Sequence, residues 1–340
     1  MLEAPDVRNT QINACIEREY GLSTTDITFL PIGADVNTAV YRIAVEGGDQ
    51  YFLKLRRGNF PTGTVTIPHW LATTGMEPLI TPIPTRSTGT LWAELDPFTA
   101  ILYPFVTGRP GWEVDLSHRQ WKEFGEGLKA LHTSVVPPEL THMNPREGYS
   151  SMWRDRVTAF LEQAAGKTYS DPVASGLALL LNEKNTTIRH ILTRAGKLAH
   201  MLVQQPPMSC LCHGDIHAGN ILIDTTNPLY IVDWDTLVLA PKERDLMFVG
   251  GGVGGVWRRD YEVKWFYEGY GQAEINRTAL SYYRFERIVQ DIGETCEEIF
   301  ATTRSGEDHA VMLEQLAKQF EPANVVEIAY DTDRQLHAAN

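Results

Sequence analysis

HGDIHAGNILIDTTNPLYIVDWD, residues 213–235, opens with His213, Asp215, His217 and Asn220 inside eight residues, directly after the apolar stretch MSCLC. From Asn220 onward the pattern is that of a hairpin: the β-type runs ILID and LYIV flank Thr225-Thr226-Asn227-Pro228, a turn composition. Closing that hairpin returns Asp233, thirteen residues after Asn220, to the end where Asn220 starts. Asp215, Asn220 and Asp233 can then converge.

A carboxylate able to take or orient a hydroxyl proton, together with an amide oxygen and a second carboxylate as hard ligands for Mg2+, is what phosphoryl transfer requires. The order H-x-D-x-x-x-x-N, then an Asp after an apolar strand, repeats the spacing of a kinase catalytic loop and its metal-binding Asp. Taken singly, Asp215 could be a turn former and Asn220 a cap. The ordered pair of motifs favours the catalytic reading.

Upstream, YFLKLR sets Lys54 in a strand among Phe52, Leu53 and Leu55, an expensive place for an ammonium unless an anion meets it. Over a nucleotide it would pair with the α- and β-phosphates; the bland alternative is a lysine snorkelling from an edge strand. The turn IGADVN, residues 32–37, holds one glycine. Gly33 and Asp35 lie where a phosphate-covering loop belongs, although an ordinary hairpin turn accounts for them as well.

A chain of 340 residues exceeds what one core comfortably organises, so two lobes are expected: 1–105 for nucleotide, and 106–340, mainly helical, for the catalytic loop and substrate pocket. In the first, ITFLPIGADVNTAVYRIAVEGGDQYFLKLR reads as an antiparallel meander and LWAELDPFTAILYPFVTG as a hairpin ending near Pro104. Beyond it helical periodicity takes over. Trp121, Phe124, Leu128 and Leu131 make one helical face, and 152–165, 173–203 and most of the chain from Tyr261 also read as helices. Short β runs at 210–235 form a small strand cluster inside this helical lobe. The fold class is α+β.

The formal net charge of −13 is spread out, with no block of five like charges, which argues against nucleic acid and anionic membranes as partners. It is compatible with a cationic small molecule, although acidity that serves only solubility is the first reading; no obligate protein partner is evident. Cys15, Cys210, Cys212 and Cys296 are too few for a disulfide scaffold, and Cys210 with Cys212 fits neither a zinc knuckle nor a redox pair, so reduced thiols are expected. MLEAPDVRNT has no basic region followed by an apolar core, and no apolar run reaches the roughly 20 residues of a bilayer span. A cytoplasmic protein is the expectation.

HGDIHAGN followed by IVDWD, with LYPFVTG and Lys54 upstream, resembles the aminoglycoside phosphotransferase and choline kinase superfamily. LAPKERDLMFVGGGVGGVW, SYYRFERIVQDI and IGADVNTAVY are similar to its spectinomycin-modifying branch, over nearly the whole chain. The resemblance implies a protein-kinase-like two-lobed fold, ATP and Mg2+ as cofactors, and transfer of the γ-phosphate to a hydroxyl of an aminoglycoside or aminocyclitol, spectinomycin first. It implies Asp215 as catalytic base, Asn220 and Asp233 as metal ligands, and Lys54 on the phosphates. Tyr103 is then the gatekeeper, with the Pro104 carbonyl and the Val106 N–H on the adenine; proline is tolerable because only its carbonyl is used. His213 would brace the loop, Asp245 would anchor it from below, and His217 would either approach the transferred phosphate or pack the loop. Asp235 and Trp257 are candidate substrate contacts.

One departure stands out: kinase-like folds pair the strand lysine with a glutamate on the next helix, yet no acid lies between Lys54 and Glu77, and Pro61 and Pro68 shorten any helix there. Either another carboxylate, such as Asp233 or Glu77, holds Lys54, or the lysine is less fixed before nucleotide binds. GGGVGG, residues 250–255, lacks the Lys-Ser/Thr of a P-loop and is expected as a flexible connector at the substrate mouth. A metabolic kinase of the same fold, acting on choline, a sugar or a homoserine-like alcohol, and a nucleotide-binding protein without turnover are the alternatives.

Overall fold

The protein is described by a computed structural model at residues 4–33, 37–58, 60–301 and 307–338. It divides into two compact units, neither continuous in sequence. One comprises Met1–Leu116, Ser134–Pro145 and Gly219–Leu237; the other comprises Ser117–Thr133, Arg146–Ala218 and Val238–Asn340.

In the first unit the expected meander and hairpin form one antiparallel sheet of β1 (Thr24–Leu30), β2 (Thr38–Val45), β3 (Gln50–Arg57), β4 (Ala93–Leu95) and β5 (Phe98–Pro104), ordered β1-β2-β3-β5-β4. The β2–β3 turn needs its glycines, since Gly47 and Gly48 take φ of 96° and 94°. Tyr41, Ile43, Leu53, Leu55, Ala100 and Leu102 face a helix at Asn9–Tyr20 and bury Ile12, Cys15, Ile16 and Tyr20. Each such aliphatic side chain contributes about 1.5–3 kcal/mol. This helix was not among the expected elements, although Ile12, Ile16 and Tyr20 recur at helical spacing and Gly21, at φ 65°, closes it by donating to the Glu17 carbonyl.

A second helix, Gly63–Thr73, runs on through Pro68 rather than being cut short by it. Proline removes one hydrogen bond there; burial of Val65, Ile67 and Leu71 offsets the loss.

The hairpin read at 220–235 forms as expected, Ile221–Asp224 against Leu229–Ile231, with Ile221 opposite Ile231 and Asn227 in the turn at φ 85°. Its first strand, Ile221–Asp224, pairs on its other edge with Gly108–Pro110 and so becomes the middle of three. A Cβ on Gly108 would stand 2.5 Å from the Ile223 carbonyl oxygen, so only glycine fits. The expected single strand cluster at 210–235 is therefore two: the hairpin belongs to the first unit, whereas Cys210–Cys212 pairs with Val238–Ala240 in the second. Ladder bonds to distant segments, invisible to local pattern, divide it.

The second unit is helical. His118–Thr133 buries Trp121, Phe124, Leu128 and Leu131 and lies against Asp260–Tyr270. The approach is close enough that a Cβ on Gly269 would sit 1.9 Å from the Lys122 carbonyl oxygen. The expected single helix over 173–203 is two, Pro172–Glu183 and Asn185–Gln204, the first capped by Asp171 accepting from the Ala174 N–H at 2.7 Å. Arg277–Ala301, buried at intervals along 25 residues, forms its spine. Among the described residues, no helix is long and apolar enough to cross a membrane.

Candidate functional site

Alternation along β3 sends Leu53 and Leu55 into the core and turns Lys54 and Arg56 to the opposite face. There Lys54 Nζ donates to Asp233 Oδ1 at 3.0 Å and to Asp235 Oδ2 at 2.6 Å, and Arg56 Nη1 lies 2.7 Å from the same Asp235 oxygen. Burial alone would pull the lysine pKa down; the two carboxylates outweigh it and hold the pKa above the usual value. The missing helix glutamate is thus replaced by carboxylates at the end of the hairpin. Of the two partners expected, Asp233 is the one Lys54 meets.

Asp233 adopts the left-handed conformation, φ 60° and ψ 65°, a strain of order 1–3 kcal/mol for a residue with a Cβ. Its side chain remains 51% exposed. The adjacent Val232 N–H donates to the Asn220 carbonyl at 3.0 Å, so the hairpin brings buried Asn220 and Asp233 to the same end.

On β5, Tyr103 stands opposite Phe52, ring centroids 6.4 Å apart. Burial, followed by the Asp235 and Asp233 charges, pushes its phenol pKa up. Pro104 is exposed, Val106 half-buried, and the Phe105 N–H between them donates to the Gln50 carbonyl at 3.2 Å. Gly33 is exposed at φ 99°; Asp35 lies outside the described residues.

In the second unit, the segment after Cys212 is fastened by the fully buried Asp245. Its Oδ2 accepts the His213 N–H at 2.8 Å and its Oδ1 accepts the Gly214 N–H at 2.7 Å. Burial would raise that carboxyl's pKa, but the His132 hydrogen bond, 3.0 Å from Nε2, and the loop amide bring it below the usual value. Arg244 Nε donates to the Gly214 carbonyl at 3.0 Å, and the Asp215 N–H meets His213 Nδ1 at 3.4 Å. Asp245 thus ties the His213–Gly214 backbone to the helical turn Glu243–Leu246.

Asp215 itself is gripped by a residue the sequence did not single out. Arg287 Nη1 donates to Asp215 Oδ1 at 2.6 Å, its Nε lies 2.7 Å from Asp291 Oδ1, and its guanidinium stands over the Phe248 ring at 5.6 Å. Burial pulls the Arg287 pKa down, yet Asp291 and Asp215 raise it above the usual value, so the cation is permanent. SYYRFERIVQDI signals only that Arg287 and Asp291 are four apart on a helix, not that Asp215 lies against them. His217 Nε2 lies 3.5 Å from Asp215 Oδ2. Burial drives its pKa down against the pull of Asp215, and the neutral ring is the form present near pH 7.

A model described as the phosphotransferase enzyme family matches residues 28–281, three quarters of the chain, which takes in Lys54, Tyr103, Asp215, Asn220, Asp233 and Asp245 but neither Arg287 nor Asp291. The chain belongs to the phosphotransferase enzyme family. Solved structures agree. A spectinomycin phosphotransferase in complex with ADP and spectinomycin is 34% identical, covering 97% of this chain and 100% of that one, at a TM-score of 0.90. An AMP-bound complex of a spectinomycin phosphotransferase is 33% identical over 96% and 99% of the two chains, TM-score 0.86. An amicoumacin kinase bound to AMP-PNP and Ca2+, 16% identical over 96% and 94%, shares the fold at a TM-score of 0.62. The curated proteins give no match.

Asp235 and Trp257, the expected substrate contacts, both have partners within this phosphotransferase. Asp235 is taken by Lys54 and Arg56 in the first unit. Trp257 is 4% exposed and packed against Trp121 and Phe124, ring centroids 5.3 Å from each, because the apolar face of 118–133 claims it. In the glycine-rich run, Gly251 and Val253 line a cavity of about 10 Å³ with Arg284, Arg287 and Asp291.

Proposed function

We propose that the protein is an ATP-dependent O-phosphotransferase whose acceptor is a hydroxyl of spectinomycin or a close aminocyclitol relative. The observation that carries this reading is the likeness, over 97% of the chain, to a spectinomycin phosphotransferase whose complex holds ADP and spectinomycin. The acidic composition also suits a cationic acceptor.

In this reading the lobe within 1–105, joined by the hairpin, handles the nucleotide, and 106–340 otherwise handles the acceptor. Lys54 neutralises α- and β-phosphate charge, held ready by Asp233 and Asp235. The Pro104 carbonyl and the Val106 N–H read the adenine behind Tyr103, and the turn of Gly33 and Asp35 covers the phosphates. Asn220 and Asp233 fit Mg2+: an amide oxygen and a half-exposed carboxylate at one hairpin end are hard donors of the kind it selects. The ion supplies neutralisation of charge on the transferred phosphoryl group.

Asp215 orients the acceptor hydroxyl and takes its proton, aimed by Arg287. His213 keeps the loop in register, and neutral His217 packs beside the carboxylate, within reach of the transferred group. Asp235 is assigned to Lys54 and Arg56, and Trp257 to the core.

Incubation with ATP and a panel of spectinomycin, kanamycin, choline and simple sugars, read by product mass, tests this. A gain of one phosphate on spectinomycin alone is expected. Phosphate only on choline or a sugar assigns a metabolic kinase, and nucleotide binding without any product assigns a binding protein; either result refutes the reading.

A further inference from the structure

The second unit contains a cluster of donors that phosphoryl transfer does not use. Cys210 and Cys212 flank Leu211 in a strand, so the period of two puts both thiols on one face, Sγ atoms 3.8 Å apart. His132, from the helix His118–Thr133, completes the group: one ligand atom from each of the three residues lies within 4.8 Å of the others. We propose that His132, Cys210 and Cys212 form a binding site for one thiophilic divalent cation of the zinc class.

Three observations support it. Two thiolates on a tetrahedral ion at about 2.3 Å stand about 3.8 Å apart, the separation present here between free thiols. The histidine is also oriented as metal-binding histidines are. His132 Nε2 meets the Asp245 carboxylate at 3.0 Å, which fixes the tautomer and leaves the Nδ1 lone pair, now facing the Tyr270 hydroxyl at 2.8 Å, as the donor. Finally, oxygen is at hand for a fourth position: the Ala240 carbonyl lies 3.6 Å from Cys210 Sγ and 3.5 Å from Cys212 Sγ.

Partly exposed Cys210 gives the ion its way in. Binding releases the two thiol protons to solvent and exchanges the Tyr270 hydrogen bond at Nδ1 for a metal bond. The site is chemically distinct from the oxygen donors Asn220 and Asp233, because sulfur and imidazole select soft or borderline ions over Mg2+. Its consequence reaches the loop, since Asp245, which orients His132, also holds the His213 and Gly214 amides.

Co2+ titration of the nucleotide-free protein in Mg2+ buffer tests the proposal by spectroscopy alone. Expected are one Co2+ per chain, a near-ultraviolet thiolate-to-cobalt band, visible absorption of tetrahedral strength, and displacement by an equivalent of Zn2+. Cys210→Ala, on the accessible side of the pair, should lose the band while melting within a degree or two of the parent without metal; Cys212→Ala repeats the test from the buried side. Absence of the band at tenfold excess cobalt, or a band that survives Cys210→Ala, overturns it.

Discussion

Replacing Lys54 by Met removes the one ammonium set between Asp233 and Asp235 while keeping the apolar stem. Breaking a buried ion pair costs about 3–5 kcal/mol, because the surviving charge stays desolvated. Two features of this site reduce the figure. Arg56 stays 2.7 Å from Asp235 Oδ2, and Asp233, half exposed, regains water. The loss expected is therefore about 2–3 kcal/mol, nearly all through Asp235, whose side chain is 28% exposed. Equilibrium urea unfolding followed by circular dichroism measures it as a lower midpoint at unchanged slope. A double-mutant cycle of Lys54→Met with Asp235→Asn should return a coupling of about 1.5–2.5 kcal/mol, and the cycle with Asp233→Asn less than about 1 kcal/mol. Additivity within about 0.5 kcal/mol in the Asp235 cycle, or a larger coupling through Asp233, refutes the account of how Lys54 is held.

Asp215→Asn should lower kcat by about 10²–10⁴-fold while ADP affinity in calorimetry stays within a factor of about two, and a variant that keeps its turnover removes Asp215 from the acceptor side. Gly269→Ala forces a methyl onto the Lys122 carbonyl and should cost about 1–3 kcal/mol in thermal melts; an unchanged melting temperature contradicts the helix contact drawn here. Because the folded pKa of His217 lies below its ordinary 6.5, the unfolded chain binds the proton more readily, and stability present above that value is lost as pH falls through the window beneath it. His217→Gln should therefore lose less stability than the parent between about pH 7 and pH 5.5, and equal losses discard the buried neutral ring.

What the sequence disclosed was local. The turn at Thr225–Pro228 between two β runs fixes the hairpin register, and with it the meeting of Asn220 with the Asp233 end. The stripe from Trp121 to Leu131 announces its helix in the same way. Partners of residues far along the chain were harder to read. No acid near Lys54 signals that Asp235 will bind it, because that pairing depends on ladder bonds between Gly108–Pro110 and the later hairpin. Arg287 was hidden differently: its spacing to Asp291 marks an ordinary helix-surface pair, and nothing local says that Asp215 lies against it. Trp257 misled because an aromatic after a glycine run suggests a pocket wall, whereas Trp121 and Phe124 already offered it a core.

The first unit is assembled from three separated segments, and its lysine is matched by carboxylates in the last of them. A ribosome must add roughly 120 residues after Leu116 before Asp233 and Asp235 are part of the chain, on the order of ten seconds at typical synthesis rates. Throughout that interval Lys54 and Arg56, on a sheet whose five strands all precede Leu116, have no Asp233 or Asp235 to meet. Cutting the gene after Leu116 therefore leaves a fragment without its third segment, and a split-protein reporter has to break the chain elsewhere.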